Sequence, residues 1–124
     1  MKQTYSTKHT HIKHLGGVAV LKPHGDLMGG DETEELEKLI EGFDSEGLGG
    51  LVFNLVDVGM MNSLAISRLI SAHVKFSRRN ARVTLCNLDK RIQNIFVITK
   101  LSLVFDVYPN EELAISSFAD SPTV

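Results

Sequence analysis

The sequence contains only one cysteine, Cys86, among its 124 residues. A single thiol excludes an internal disulfide, and it excludes any metal site built from several thiolates. Cys86 ends an apolar segment, so we expect it to be a small side chain of the core. With 43% hydrophobic residues, the chain is long enough to build one core, and we predict a single domain over residues 1–124.

Long apolar runs are also missing. The apolar clusters are far shorter than the roughly 20 residues that a membrane-spanning helix needs. Residues 1–4 lack the apolar character of a signal peptide. We therefore expect a cytoplasmic protein that would reach a membrane only through a partner.

Basic charge is not in excess. The chain has 13 Lys and Arg residues against 15 Asp and Glu residues, which gives a formal charge of -2. The basic residues are scattered, apart from Arg78, Arg79 and Arg82. Because nucleic acid binding relies on a concentrated basic surface, we do not expect this protein to bind nucleic acid.

The motifs of common catalytic and nucleotide-binding sites are absent. Ser63 lacks the flanking glycines of a G-x-S-x-G elbow, and no histidine and acid can be assigned to it by spacing. The glycines at 29–30 and 47–50 lack the lysine and the strand-before-helix context of a phosphate-binding loop. We predict no enzyme, no catalytic residue and no cofactor.

Turn signals divide the first half of the chain into two strands and a helix. Residues 5–12 alternate in the manner of an edge strand, and Gly16-Gly17 separates them from a second strand at 18–21. These two strands are expected to pair as a hairpin. Asp31 is the predicted N-cap of the first helix, with Glu34 in the capping-box position and the helix extending to Gly42.

The second half alternates strands and helices. The predicted strands cover residues 51–56, 82–86 and 104–108, and the predicted helices cover 63–79, the segment from Asp89 to Ile98, and a final segment capped by Asn110. In the final helix, the side chains expected to face inward are Leu113, Ala114 and Phe118. This order predicts an α/β fold, with a mixed sheet, an N-terminal antiparallel hairpin and about four helices packed on the sheet.

Ser63 is the most informative position. It follows a buried strand and a turn, and it opens the second helix, with Asn62 as the expected N-cap. A phosphate on this serine would meet unpaired backbone N–H groups and the positive end of the helix dipole. We therefore expect Ser63 to be solvent-accessible and suited to phosphorylation.

Apolar residues cluster around this serine. Leu64 falls on the polar side of the second helix, and Met60 and Met61 precede the serine. We expect these three side chains to form a small exposed patch that receives a partner, although the methionines could instead fill the core beneath the loop.

Three segments resemble those of a known family. The longest is Leu51-Val52-Phe53-Asn54-Leu55-Val56-Asp57-Val58-Gly59-Met60-Met61-Asn62-Ser63, which is similar to an apolar strand leading into an Asp-Ser-(Ser or Thr)-Gly turn. The others are Gly25-Asp26-Leu27 and Tyr108-Pro109-Asn110-Glu111-Glu112-Leu113-Ala114. On these motifs the chain resembles the STAS domain family, and within it the bacterial anti-sigma factor antagonists.

The resemblance implies a partner-switching function. Such proteins capture an anti-sigma factor that is also a serine kinase, and phosphorylation releases them; a serine phosphatase is a second candidate partner. Ser63 falls on the position of the family's phosphoacceptor. We expect the partner-contacting surface to contain Met60, Met61, Asn62, Leu64, Ser67, Arg68 and Asp26.

The chain departs from the family pattern around the serine. Asn62 replaces an aspartate, Leu64 replaces a second hydroxyl residue, Ala65 replaces a glycine, and Met28 stands where an acidic residue often follows. Asn62 can still cap the helix but carries no charge, and Ala65 stiffens the turn. These changes favour an alternative, in which Ser63 is never modified and the domain is a scaffold or regulatory subunit of a larger signalling or transport assembly. A nucleotide or lipid bound at the same helix terminus is a weaker alternative.

Histidines give the strongest competing signal. On an extended strand His9 and His11 would share a face, and His14 could join them around a metal, with His24 further on. No carboxylate or thiolate completes a tetrahedral set, so we predict no metal site. His73 is expected to be a buried, hydrogen-bonded imidazole. Because Lys8, His9 and Lys13 would discourage pairing of the first strand with a second copy, we expect a monomer.

Overall fold

The fold is a six-stranded sheet with four α-helices, and the computed structural model describes residues 2–119 of the chain. The strands are β1 (Lys2–Ser6), β2 (Thr10–Leu15), β3 (Val18–Pro23), β4 (Gly50–Asn54), β5 (Arg82–Cys86) and β6 (Asp106–Tyr108). The helices are α1 (Asp31–Ser45), α2 (Ser63–Ser77), α3 (Lys90–Ile98) and α4 (Glu111–Ala119), with a 3₁₀ turn at Leu101–Leu103. Within these residues no helix has the length and apolar character to cross a bilayer.

The strands lie in the sheet in the order of the chain, from β1 at one edge to β6 at the other. The pairs β1–β2 and β2–β3 are antiparallel, and the remaining three pairs are parallel. Gly16 supplies the positive φ of 68° in the turn between β2 and β3. Parallel strands need crossover connections, which the helices provide. The predicted mixed sheet with an antiparallel hairpin is confirmed.

The sheet is covered unequally on its two faces. The main core lies between one face and the first three helices, whose buried apolar side chains are Leu36, Ile40, Phe43, Ala65, Leu69, Ala72, Phe76, Ile92 and Phe96. On the other face, α4 covers a smaller cluster of Val20, Val52, Cys86 and Ala114. All five residues of β4 are buried. This burial explains why its sequence is apolar at nearly every position.

The first predicted strand is wrong in its bounds. Residues 5–12 contain the end of β1, a turn and the start of β2. The backbone N–H and the side-chain hydroxyl of Thr7 both donate to the carbonyl oxygen of Thr10, at 2.8 and 3.1 Å. These two bonds close a tight turn, so β2 rather than one long edge strand pairs with β3.

The start of α1 also differs from the prediction. Its N-cap is Gly30, and Asp31 is already the first helical residue. The carboxylate of Glu32 accepts hydrogen bonds from the backbone N–H groups of Met28 and Gly30, and the hydroxyl of Thr33 accepts one from Gly29. These first-turn side chains hold the preceding loop, whereas the backbone N–H groups of Thr33 and Glu34, which an Asp31 cap would bind, both donate to the carbonyl oxygen of Gly30 at 3.0 Å. The helix continues past Gly42 to Ser45.

The last helix is capped as predicted, because the Asn110 side-chain oxygen accepts from the backbone N–H of Leu113 at 2.9 Å. Ala114 is fully buried, and the half-buried Phe118 packs on the same apolar cluster. Leu113 is exposed, so the prediction that it faces inward is wrong. A short helix presents only a narrow stripe of side chains to the sheet, and Ala114 lies in that stripe.

Candidate functional site

Ser63 is exposed at the first position of α2. Asn62 before it is extended, and its side-chain oxygen accepts from the backbone N–H of Ala65 at 3.0 Å, which confirms the predicted N-cap. The backbone N–H of Asn62 donates to the carbonyl oxygen of Leu27 at 3.0 Å. Of the first-turn donors, the N–H groups of Ser63 and Leu64 have no intrahelical acceptor. The helix terminus therefore keeps donors for an anion.

Two loops are joined beneath the serine. Residues 24–30 follow β3, and residues 55–62 follow β4. The side-chain amide of Asn62 donates to the carbonyl oxygen of Met28 at 2.8 Å, and the backbone N–H of Leu27 donates to the carbonyl oxygen of Met60 at 3.0 Å. Asp26 accepts from the backbone N–H of Gly59 at 3.0 Å. These bonds hold the two loops together next to the serine.

Exposed apolar side chains surround Ser63. Met60 is 40% exposed and Leu64 is 42% exposed, as the sequence predicts. Met28, in the neighbouring loop, is 50% exposed, and its carbonyl oxygen is bound to Asn62. We call Met28, Met60, Ser63 and Leu64 the serine surface.

The expectation that Met61 belongs to the exposed patch is wrong. Met61 is 4% exposed and packs in the main core. It forms an isolated parallel bridge with Leu27, beyond the ends of β3 and β4. Because side chains alternate along an extended chain, the bridge turns Met61 inward while Met60 stays outside.

The remaining predicted contact residues lie near α1 or in the joined loops. Arg68 is ion-paired with Glu37 of α1, and the hydroxyl of Ser67 donates to the carbonyl oxygen of Leu64 at 2.6 Å. A groove of about 260 Å³ separates α1 from the start of α2, and its lining includes Leu64, Arg68, Glu34 and Glu37. The groove beside Ser63 therefore carries charges of both signs, with Arg68 and Glu37 paired across it.

Two neighbours of this site, Glu32 and Arg91, were not predicted from the sequence, and Met28 was named there only as a departure from the family pattern. Glu32 accepts from the backbone N–H of Met28 at 3.0 Å, and this bond lowers the pKa of its carboxyl. A Cβ on Gly59 would lie 3.3 Å from a guanidinium nitrogen of Arg91 and 3.4 Å from the Asp26 carboxylate. The departure of Met28 from the family pattern was the one sequence signal for this region.

The histidines do not converge on one point. His9 lies 3.8 Å from Glu35, and His14 lies 3.8 Å from Glu46. The imidazole of His11 is instead hydrogen-bonded to Ser6 at 2.8 Å. Because His9 contacts a residue of α1 and His11 pairs within the β1–β2 hairpin, the expected shared face does not form. Within residues 2–119 no group of three or more potential metal ligands is present.

Two further side chains, His73 and Cys86, were predicted to be buried. His73 is half-buried rather than buried as predicted, and its ring meets Phe105 edge-on with the centroids 5.5 Å apart. Cys86 is fully buried beneath α4, as predicted. Neither of them belongs to the serine surface.

Comparison with known proteins identifies the family of this chain. The family model described as STAS domain matches residues 9–114. No curated protein matches the sequence at a significant level.

Solved structures agree with the family match. An anti-sigma factor antagonist from Mycobacterium paratuberculosis is 19% identical, with 97% of this chain and 96% of that chain covered and a TM-score of 0.76. The Bacillus cell fate determinant SpoIIAA in its phosphorylated form is 16% identical, with 95% and 99% covered and a TM-score of 0.68. The murine anion transporter Slc26a9 is 16% identical, with 88% of this chain but 18% of that chain covered and a TM-score of 0.70. At these identities the likeness shows the fold, and the family match over most of the sequence shows that the chain belongs to the STAS domain family.

Proposed function

We propose that this protein is an anti-sigma factor antagonist, which captures an anti-sigma factor with serine kinase activity and is released when Ser63 is phosphorylated. The observation that carries the proposal is the exposed hydroxyl of Ser63 at the start of α2, beside exposed Met28, Met60 and Leu64. A serine phosphatase would restore the binding form. The proposed location is the cytoplasm.

Charge and desolvation explain the release. A phosphate on Ser63 would carry between -1 and -2 charges at neutral pH, in the middle of an apolar contact surface. Its burial against a partner would require removal of its water, which costs free energy for a charged group. The backbone donors of α2 stabilise the phosphate in the free protein, which also favours the released state.

Binding of the unmodified protein is expected to depend on the charge at position 63. Ser63→Asp should weaken binding of the anti-sigma factor by about tenfold or more, which corresponds to about 1.4 kcal/mol, and Ser63→Ala should retain it. The first turn of α2 has no acidic residue, so Ser63→Asp should leave the fold as stable as before or more stable. Titration calorimetry measures the affinity, and urea unfolding measures the stability.

Ser116 provides the matched control. It is an exposed serine of α4, on the other side of the sheet, so Ser116→Asp should not change the affinity. Equal affinities of Ser63→Asp, Ser63→Ala and the parent protein would contradict the switch. In a second measurement, intact mass after incubation with the cognate kinase and ATP should show one added phosphoryl group, which Ser63→Ala should not acquire.

A scaffold role is the second candidate. The likeness to part of a much longer anion transporter shows that this fold also occurs within larger chains. Ala65 and the uncharged Asn62 differ from the family's phosphoacceptor turn, and the side chain of Asn62 is fully used in holding the two loops. In this role the serine surface would bind a partner without regulation. Absence of phosphorylation together with equal partner affinity of the Ser63 variants would favour it.

The proposal assigns no catalysis to this domain. Each of the histidines His9, His14 and His24 lies beside a carboxylate of its own, and His73 packs on Phe105. None of these contacts, nor the hydrogen bond between His11 and Ser6, involves Ser63. Ser63 is therefore proposed as an acceptor of phosphate rather than a nucleophile of the protein's own reaction.

A further inference from the structure

Two histidines from different segments of the chain approach each other near the carboxyl end of β3. His11 lies in β2, and His24 directly follows β3. The centroids of their rings are 6.4 Å apart, and the ring planes are tilted by 43°. In the register of the two strands His11 is opposite Lys22, so His24 is its diagonal neighbour two residues further along. Strand pairing therefore brings the two imidazoles together.

Each imidazole has a polar neighbour at its Nδ1 atom. The hydroxyl oxygen of Ser6 lies 2.8 Å from Nδ1 of His11. A carboxylate oxygen of Asp57 lies 3.6 Å from Nδ1 of His24. Neither contact uses Nε2, so both rings keep this atom for another ligand. Metal-binding histidines have this arrangement, in which a partner at one ring nitrogen orients the ring and the other nitrogen binds the ion.

We propose that His11 and His24 bind a divalent transition-metal ion through their Nε2 atoms, with Asp57 as an outer carboxylate and water in the remaining positions. Two imidazoles bound to one tetrahedral ion have ring centroids about 5 Å apart, so the rings must approach by about 1 Å. His24 is exposed, and rotation of its side chain can supply this movement.

The site is open, with two protein ligands. Residues 2–119 contain no set of three or more potential ligands, so the ion is not enclosed as in a structural zinc site. Imidazole suits copper, nickel and zinc, whereas magnesium and calcium require oxygen ligands. The nearby charge of Lys22 opposes a cation, although Lys22 also lines a crevice with Glu111 and Glu112 of α4. We therefore expect micromolar affinity, with copper bound more tightly than nickel or zinc.

The ion would connect three segments of the fold. His11 belongs to β2, His24 begins the loop at 24–30, and Asp57 belongs to the loop at 55–62. These are the two loops that hydrogen bonds hold together next to Ser63. Because an ion bound by the folded protein alone stabilises it, metal should raise the melting temperature.

The inference departs from the sequence-based prediction of no metal site. That prediction centred on His9, His11 and His14, which lie close together in the chain but do not converge. The pair proposed here is formed across two strands. Neither imidazole belongs to the serine surface, so the site is independent of the proposed phosphorylation.

Titration calorimetry of the untagged full chain with nickel chloride, near neutral pH, tests the proposal. The parent protein should bind one nickel ion. His11→Gln and His24→Gln should each weaken binding by about tenfold or more, since each removes one of two ligands. Asp57→Asn should weaken it by a smaller factor, because it changes only the outer partner of His24. Without metal, circular dichroism should show that the exposed substitution His24→Gln leaves the fold intact.

His14→Gln is the matched control. Its ring packs against Phe43 of α1 and lies beside Glu46, so its loss should leave nickel affinity unchanged. Ser63→Ala should also bind nickel as the parent does, which separates this test from that of the phosphorylation switch. A parent protein that binds no nickel at millimolar concentration would overturn the proposal. Unchanged affinity in both His11→Gln and His24→Gln, or loss of binding in His14→Gln, would overturn it as well.

Discussion

Asn62 uses both ends of its amide to hold the serine surface together. Its oxygen caps α2 through the backbone N–H of Ala65, and its nitrogen donates to the carbonyl oxygen of Met28 in the neighbouring loop. An aspartate at this position would keep the first bond, but it has no donor for the second. The departure from the family's aspartate thus replaces a charge with a link between two loops.

Substitution of Asn62 should separate these two contributions. Asn62→Ala should lower the free energy of unfolding by about 1–2 kcal/mol, because the cap and the bond to Met28 are both lost. Asn62→Asp should cost less, since it retains the cap and adds a favourable negative charge at the helix N-terminus. Urea unfolding near neutral pH measures both values. A cost for Asn62→Asp equal to or above that of Asn62→Ala would contradict this account.

The sequence predicted correctly those residues whose surroundings are set by neighbours in the same helix. The cap at Asn62 and the exposure of Leu64 both follow from positions within one helix. The burial of Met61 could not be predicted, because it depends on a bridge to Leu27, which lies 34 residues earlier. The exposure of Met28 depends on the same long-range pairing.

At the scale of elements, a polar network attaches α4 to the sheet. Glu111, at the start of this helix, is ion-paired with Lys13 of β2 and accepts a hydrogen bond from Asn54 of β4 at 2.9 Å. Asn54 in turn accepts from Asn87 at 3.1 Å. Partial burial raises the pKa of the Glu111 carboxyl, but the bonds from Lys13 and Asn54 outweigh this effect and hold the pKa below its ordinary value of 4.5.

The network should make stability depend on pH in a defined direction. A carboxyl whose pKa is lowered by folding contributes stability above its unfolded pKa, and that contribution is lost as the pH falls through the folded value. Glu111→Gln should therefore be less stable than the parent protein at about pH 7, and the difference should shrink below pH 4.5. Urea unfolding across this range measures the difference.

The exposed neighbour Glu112 provides the control for this prediction. Glu112→Gln should lose only the weaker interaction of an exposed charge with the helix N-terminus, so its stability should depend on pH less than that of Glu111→Gln. A stability difference between Glu111→Gln and the parent protein that stays constant down to acid pH would show that the carboxylate charge does not hold α4.

Gly50 marks a close approach between α4 and β4. A Cβ at this position would lie 2.2 Å from the ring of Phe118, far inside contact distance. Gly50→Ala should therefore displace the ring and lower the free energy of unfolding by about 1–3 kcal/mol. The same substitution should cost little when Phe118→Ala has already removed the ring, and equal costs in the two backgrounds would contradict the contact.

Elements were predictable from sequence where one face or both faces are buried. The apolar runs of β4 and β5 and the periodic pattern of α2 gave these elements to within about two residues. The bounds at the polar end of the chain were not predictable, since the turn at Thr7 depends on two hydrogen bonds rather than on glycine or proline. The N-cap of α1 was missed because Gly30 occupies that position without any side-chain hydrogen bond.

At the scale of the whole molecule, the two sheet faces have different roles. Three helices and the large core occupy one face, whereas α4 alone covers the other. The serine surface belongs to the three-helix side, at the start of α2. Sequence periodicity predicted the mixed sheet, but the position of β6 as an edge strand required the strand order.

Cys86 reports on the integrity of the whole fold, because it is the only thiol and lies between the sheet and α4. Burial raises the pKa of this thiol to about 12, and the nearby charge of Glu111 adds to the effect. Since the thiolate is the reactive form, iodoacetamide should not label the native protein, whereas the denatured protein should take up one equivalent. In native buffer the labelling rate should follow the population of the unfolded state, so Gly50→Ala, with its lower stability, should be labelled about tenfold faster for each 1.4 kcal/mol lost. Rapid labelling of the parent protein, or equal rates in the two proteins, would show that α4 opens independently of the rest of the fold.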